Sequence, residues 1–129
     1  MSVWRRKALE WLPECREVIT EADNAMMAWI DIKFACEDAY RDQNTEFIDR
    51  VFAYARWCLN SRSIDTRTAA AICFYEDLPD NPRARADLPN RLTLSEFEKL
   101  RDLFQYQLKD NFPAFEKEFR AEIRRRRGP

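Results

Sequence analysis

Glycine occurs once in this chain of 129 residues, at Gly128. Glycine supplies the positive-φ positions of tight hairpins, phosphate-cradling loops and many helix C-termini. Its absence from the rest of the chain removes the loops on which Rossmann, Walker and nucleophile-elbow sites stand. Histidine is missing altogether. The commonest general base and the commonest metal ligand are therefore both unavailable, and most hydrolase and zinc-enzyme readings lose their central group. The sequence excludes more functions than it names.

The length fits one domain, expected to span residues 1–129. Nine Phe, four Trp and four Tyr supply bulk for its core. The charged fraction of 35% exceeds the ordinary quarter while the hydrophobic content of 46% is normal. That combination suits amphipathic helices with densely charged outer faces. The longest apolar run, Ala69–Tyr75, falls far short of the roughly 18 residues that span a bilayer. No apolar stretch follows the basic Met1–Lys7 segment, so no signal peptide and no membrane span are expected. Cys15, Cys36, Cys58 and Cys73 form no short ligand pair. They read as reduced, buried thiols of a cytoplasmic protein, with a disulfide pair as the alternative. The net charge of −1 hides an uneven distribution: residues 8–123 hold all 23 acids against 15 bases, and both ends are basic.

Periodicity predicts helices throughout. The first covers Val3–Leu12, interrupted by Pro13 and resuming to about Glu21. A second, capped by Asp23 or Asn24, runs to Arg41 with Met26, Trp29, Ile30 and Phe34 as its core stripe. A third runs from Glu46 to about Ser61. A fourth, capped by Asp65 or Thr66, runs to Leu78, apolar nearly all round from Ala69 to Phe74 and therefore buried. Residues 79–92, with three prolines and three arginines, read as one long loop. Thr93-Leu-Ser-Glu96 has the spacing of a capping box, with Leu92 and Phe97 as its hydrophobic staple. Two helices follow, broken at Phe112-Pro113, and the chain ends in a basic tail, 124–129. The expected fold is all-α, a compact bundle of five or six helices.

Candidate functional residues are acidic. Glu10, Glu14, Glu17 and Glu21 recur at helical spacing. Asp38, Asp42, Glu46 and Asp49 cluster around the link between the second and third helices. Such carboxylates serve a metal, a basic partner or simply a solvated face. A di-iron bundle requires Glu-x-x-His motifs, which this chain lacks. Glu76 and Asp77 stand where a helix C-terminus disfavours negative charge. Their neutral reading is a charged helix end. The Arg124–Arg127 run suggests phosphate or anionic-membrane contact, but it adjoins an acidic body and has no interleaved aromatics, which argues against a nucleic-acid partner.

Leu12-Pro-Glu14, the neighbourhood of Trp29–Asp31, and the string Phe74-Tyr-Glu-Asp-Leu-Pro79 together resemble an uncharacterised bacterial family of small acidic all-helical proteins, often regarded as immunity proteins of polymorphic-toxin systems. The resemblance spans about residues 8–110 and implies a non-catalytic role: sequestering a basic toxin domain. No catalytic residue, cofactor or metal is expected. The partner-binding residues on this reading are Glu14, Glu17, Glu21, Asp38, Asp42, Glu46 and Asp49, with Glu76 and Asp77 next. Two alternatives remain open: a self-associating structural or regulatory domain with an interface such as Tyr54/Trp57, and weak nucleic-acid binding through the basic termini.

Overall fold

Asparagine and serine side chains start three of the long helices, and each closes a backbone N–H that would otherwise be orphaned. The computed structural model describes residues 1–127; Gly128 and Pro129, the last two of the expected tail 124–129, lie outside the described residues. Helix accounts for 87% of the chain and no strand occurs among the described residues, so the class is all-α. The chain forms two compact units, Met1–Tyr75 and the segment from Glu76 onward.

The first unit contains α1 (Val3–Trp11), a 3₁₀ turn (Pro13–Cys15), α2 (Arg16–Glu21), α3 (Ala25–Arg41), α4 (Thr45–Leu59) and α5 (Ile64–Cys73). Asn24 caps α3 by accepting from the Met27 N–H at 2.9 Å, Asn44 caps α4, and Ser63 caps α5. Helices α3, α4 and α5 each pack on the other two, and α1 lies on α4. At their centre the Trp29 ring is stacked between Tyr54 of α4, 5.1 Å away, and Phe74 just past α5, 4.8 Å away. The core face of α3 otherwise carries small residues, Ala25, Ala28, Cys36 and Ala39, together with Ile32 and Tyr40. Small side chains let the neighbouring helices approach while one indole fills the middle.

That arrangement corrects the expected stripe of α3. Trp29 is fully buried, but Met26, Ile30 and Phe34 are exposed, Phe34 at 55%. At about 100° per residue, 26, 30 and 34 fall roughly opposite the arc of 25, 28, 32, 36 and 39. The helix is apolar on two faces, and the core took the face with the smaller residues. The fourth expected helix is also corrected. It starts one cap earlier, at Ser63, and stops at Cys73, and Ile72 is exposed rather than buried.

The 3₁₀ stretch Tyr75–Asp80 enters the second unit at Glu76, which continues as α6 (Pro82–Arg91), α7 (Leu94–Leu108), a 3₁₀ turn (Lys109–Asn111) and α8 (Phe112–Arg127). Most of the expected loop at 79–92 is therefore helical. Asn81 accepts from the N–H groups of Arg83 and Ala84, and Pro82 occupies the first helical position, where its missing N–H costs nothing. Ala84, Leu88 and Leu92 are buried at i, i+4, i+8 spacing, a stripe masked in the sequence by prolines and arginines. Asp87 and Arg91 brace the last turn at 2.7 Å, offsetting the hydrogen bond that Pro89 cannot donate. The capping box is present, with Thr93 N–H donating to Glu96 at 2.9 Å and Glu96 N–H to Thr93 at 3.1 Å. Leu92 and Phe97 are both buried, as a staple requires. Phe97 stacks on Phe119 at 4.4 Å and Phe104 meets Phe115 edge-on at 5.4 Å, joining α7 to α8.

Helix α3 ends in a Schellman motif without glycine: Asn44 N–H donates to Ala39 C=O at 2.8 Å and Gln43 N–H to Tyr40 C=O at 3.3 Å. Gln43 holds φ at 58° and Lys109, after α7, holds φ at 50° with ψ at −118°. Both are conformations in which a Cβ is strained. Gln43→Gly should stabilise the protein by about 1 kcal/mol, the left-handed penalty less part of glycine's greater unfolded-state freedom. The check is a higher urea midpoint at unchanged slope, with no such gain for Gln43→Ala.

Candidate functional site

Arginine 50 decides which of the acidic candidates are available. From α4 its Nη1 donates to the Trp11 carbonyl at 2.9 Å and to Glu14 at 2.7 Å, while Nη2 makes a second, parallel bond to Glu14. The Leu12-Pro13 break leaves the end of α1 without a continuing helix, and this guanidinium closes it. Its Nε also faces Glu46 at 3.6 Å, an ion pair too long for a hydrogen bond. The Arg50 bond holds the Glu14 carboxyl below the usual carboxylate range, more strongly than desolvation raises it. Glu14 and Glu46, 32 positions apart in sequence, thus share one cation.

The remaining acids divide by partner. Asp38 and Asp42 both face Arg41, at 3.3 and 3.5 Å, so the second cluster is largely self-neutralised. Asp49 is exposed on α4. Glu10 pairs with Lys7 at 3.4 Å and is set apart from Glu14 by the end of α1 before Pro13. Glu17 and Glu21 on α2 are exposed and have no ion-pair partner among the described residues, and the same holds for Asp23 and Asp31. Glu76 and Asp77 lie in the 3₁₀ stretch that begins the second unit, half-buried. Burial, followed by the Asp77 charge, pushes the Glu76 carboxyl up. No group of acids and cysteines with metal-holding geometry occurs among the described residues.

Asp23 and Asp31, without an ion-pair partner among the described residues, bracket a feature that includes Met26, Ile30 and Phe34 of the expected core stripe. Met26, Met27, Ile30 and Phe34 form an exposed apolar face on α3, each 44–55% accessible. Asp31 stands one turn from both Met27 and Phe34, and the Lys33 ammonium lies 5.6 Å from the Phe34 ring. A single exposed apolar side chain is ordinary, but four on one face make this the candidate surface of the first unit. Unbranched Met side chains also adapt to irregular partners. The clue in the sequence was the excess of apolar residues on α3, too many for one face.

The interior offers little chemistry. Cys15, Cys36 and Cys58 are buried, Cys73 is half-buried, and none of the four is in a disulfide among the described residues. Burial pushes the Cys58 thiol up to about 12, against smaller opposing contributions from the Tyr54 hydroxyl and the Trp29 indole. The Trp29 Nε1–H itself has no partner in good hydrogen-bond geometry, so its effect on the sulfur is that of a weak donor. Burial raises the Cys15 thiol too. Neither is a thiolate near neutral pH. Tyr54 donates to the Trp4 carbonyl at 3.1 Å and stacks on both Trp29 and Trp57. It is completely buried whereas Trp57 is half-buried, so the tyrosine of the expected Tyr54/Trp57 pair belongs to the core.

Among the described residues no helix is long and apolar enough to cross a membrane. Residues 5–99 match a family described as a domain of unknown function, DUF7674, and the chain belongs to that family. The match covers all of the first unit from Arg5 and stops within α7, leaving α8 outside it. The family description names no activity and lends no support to the toxin-immunity resemblance. No curated protein and no solved structure matches the chain.

Arg50→Ala should cost about 1–2 kcal/mol, because it removes charge-assisted bonds and leaves the Trp11 carbonyl open. Glu14→Gln should cost less than 1 kcal/mol, as expected of a half-exposed pair screened by solvent. The Glu14 contribution is present above its unfolded-state pKa and is lost as pH falls through the lower folded value. Urea midpoints taken from neutral to acid pH should therefore converge for wild type and Glu14→Gln at low pH. A gap that persists there would exclude ionisation of Glu14 as its source.

Proposed function

We propose that this member of the family is a non-catalytic binding module whose α3 face captures a basic protein domain, in the manner of a bacterial toxin-immunity protein. The observation that carries the reading is the apolar face of Met26, Met27, Ile30 and Phe34, turned away from a core already filled by Trp29 and set among unpaired carboxylates. Interfaces of this kind combine an apolar centre depleted of charge with a polar rim. The apolar centre contributes affinity, whereas the rim chiefly steers association and selects the sign of the partner's charge.

On this reading the acidic set narrows. Glu17 and Glu21 remain steering residues, joined by Asp23 and Asp31. Glu14 and Glu46 serve the fold through Arg50, and Asp38 and Asp42 are offset by Arg41. Glu76 and Asp77 belong to the second unit, and the reading does not use them. A cytoplasmic setting fits cysteines held as thiols rather than disulfides, since reducing compartments keep them in this state.

The test compares wild type with Phe34→Asp, with Glu17→Lys/Glu21→Lys/Asp23→Lys, and with Glu14→Gln as control, all confirmed folded by thermal melting. Affinity capture from source-cell lysate should retain one basic protein on wild type and on the control. With the retained protein purified, Phe34→Asp should weaken binding at least about tenfold. The triple reversal should slow association about tenfold at low salt and much less at high salt. Binding unchanged in both variants overturns the proposal. So does a wild-type dimer in light scattering that Phe34→Asp converts to monomer, because the face would then be occupied by a second copy.

A further inference from the structure

The four consecutive arginines at 124–127 do not form a uniform basic tail. They continue α8, and at about 100° per residue they separate onto two sides of the helix. Arg125 and Arg126 flank the side of Glu122 and both donate to it, Arg126 at 3.2 Å and Arg125 at 3.1 Å with a second bond from its Nη2. Arg126 also donates to Asn90 of α6. These bonds hold the Glu122 carboxyl down to about 2. Arg124 and Arg127 lie on the other side, exposed and with no ion-pair partner among the described residues.

That other side borders a cleft of about 240 Å³ between the start of α7 and the end of α8, lined by Leu94, Arg120, Ile123, Arg124 and Arg127. Residues 120, 123, 124 and 127 follow the spacing of a single helix face. Arg120 is already neutralised by Glu98 and Glu116. The cleft therefore has an apolar floor of Leu94 and Ile123 and two uncommitted guanidiniums at its rim. A second cleft, of about 190 Å³ between α6 and α8, differs in the respect that matters. It contains Glu118 and Glu122, and its one arginine, Arg85, is bound to Glu118 at 2.9 Å. Only the first presents unopposed positive charge beside apolar surface.

We infer that the cleft between α7 and α8 binds a phosphomonoester bearing a compact apolar or aromatic group, with Arg124 and Arg127 holding the phosphate and Leu94 and Ile123 the apolar part. Two guanidiniums match the charge of a dianionic phosphate, and their planar forks suit its oxygens. The volume accommodates one ring with a phosphate and excludes a larger ligand from full enclosure. This site belongs to the second unit and lies mostly on α8, beyond the residues that define the family match.

Phenyl phosphate is the probe, with inorganic phosphate and a short single-stranded oligonucleotide as comparisons, and binding is followed by amide and arginine Nε–H NMR shifts on the full chain. Phenyl phosphate should bind about tenfold or more tightly than inorganic phosphate, since burying its ring removes apolar area from water. The shifts should centre on Leu94, Ile123, Arg124 and Arg127. Arg124→Gln/Arg127→Gln should weaken binding at least about tenfold. Arg125→Gln/Arg126→Gln, of identical net charge, should leave it within about twofold, because those guanidiniums are committed to Glu122. Equal losses in the two double variants would reduce the run to diffuse electrostatics and overturn the inference. So would equal affinity for phenyl and inorganic phosphate, or an oligonucleotide that binds far more tightly with shifts spread over all four arginines.

Discussion

The stacking of Trp29 between Tyr54 and Phe74 is the interaction on which the first unit depends. One indole links three helices, and the positions around it on the buried face of α3 are mostly small, Ala25, Ala28 and Cys36 beside the single larger Ile32, which lets those helices approach. This inner face is complete without Met26, Ile30 and Phe34. Their exposure is thus a consequence of the core's geometry rather than a failure to bury them, and a core constraint creates the candidate binding face.

Helix ends in a chain nearly without glycine need other donors, and arginine supplies several. Arg50 closes α1 at the Trp11 carbonyl. Arg5 donates to the carbonyls of Ile19 and Ala22 at the end of α2, and Arg67 donates to Ser61 just beyond α4. Positive side chains at helix C-termini also oppose the negative end of the macrodipole. Where side chains do not serve, the backbone takes the strained conformation directly, at Gln43 and Lys109. The link between α3 and α4 is economical as a result. Asn44 donates its N–H to close one helix, and its side chain then caps the next.

Pairing, more than composition, distributes function over the charged residues. The chain carries almost equal numbers of acids and bases, and most candidate sites are quenched by an internal partner. Arg50 takes up Glu14, Arg41 offsets Asp38 and Asp42, and Glu122 occupies two of four terminal arginines. Charged groups left without an ion-pair partner among the described residues include carboxylates near the α3 face and the Arg124 and Arg127 guanidiniums beside the α7–α8 cleft, and on these the two proposals rest. A polar group already satisfied gains little by binding something else, whereas an uncommitted one exchanges only water.

The sequence by itself determined the all-α class, a helix start at Asp23 or Asn24, the capping box at Thr93, the break at Pro13 and the restart near Phe112, because caps, prolines and 3.6-residue periodicity act within a turn or two of chain. It also ruled out glycine-loop and histidine chemistry by composition alone. Tertiary structure decided which side of a doubly apolar helix faces inward, since Trp29 and Phe34 look equivalent until α4 and α5 occupy one side. It decided that Ala84, Leu88 and Leu92 form a buried stripe, because prolines and arginines obscured the period that burial revealed. Tertiary structure also joined Glu14 to Glu46 through Arg50, across 36 positions of chain from Glu14 to the arginine. Local propensity fixes helices, but electrostatic partners and core volume are properties of the packed chain, and these settle which residues remain for a ligand.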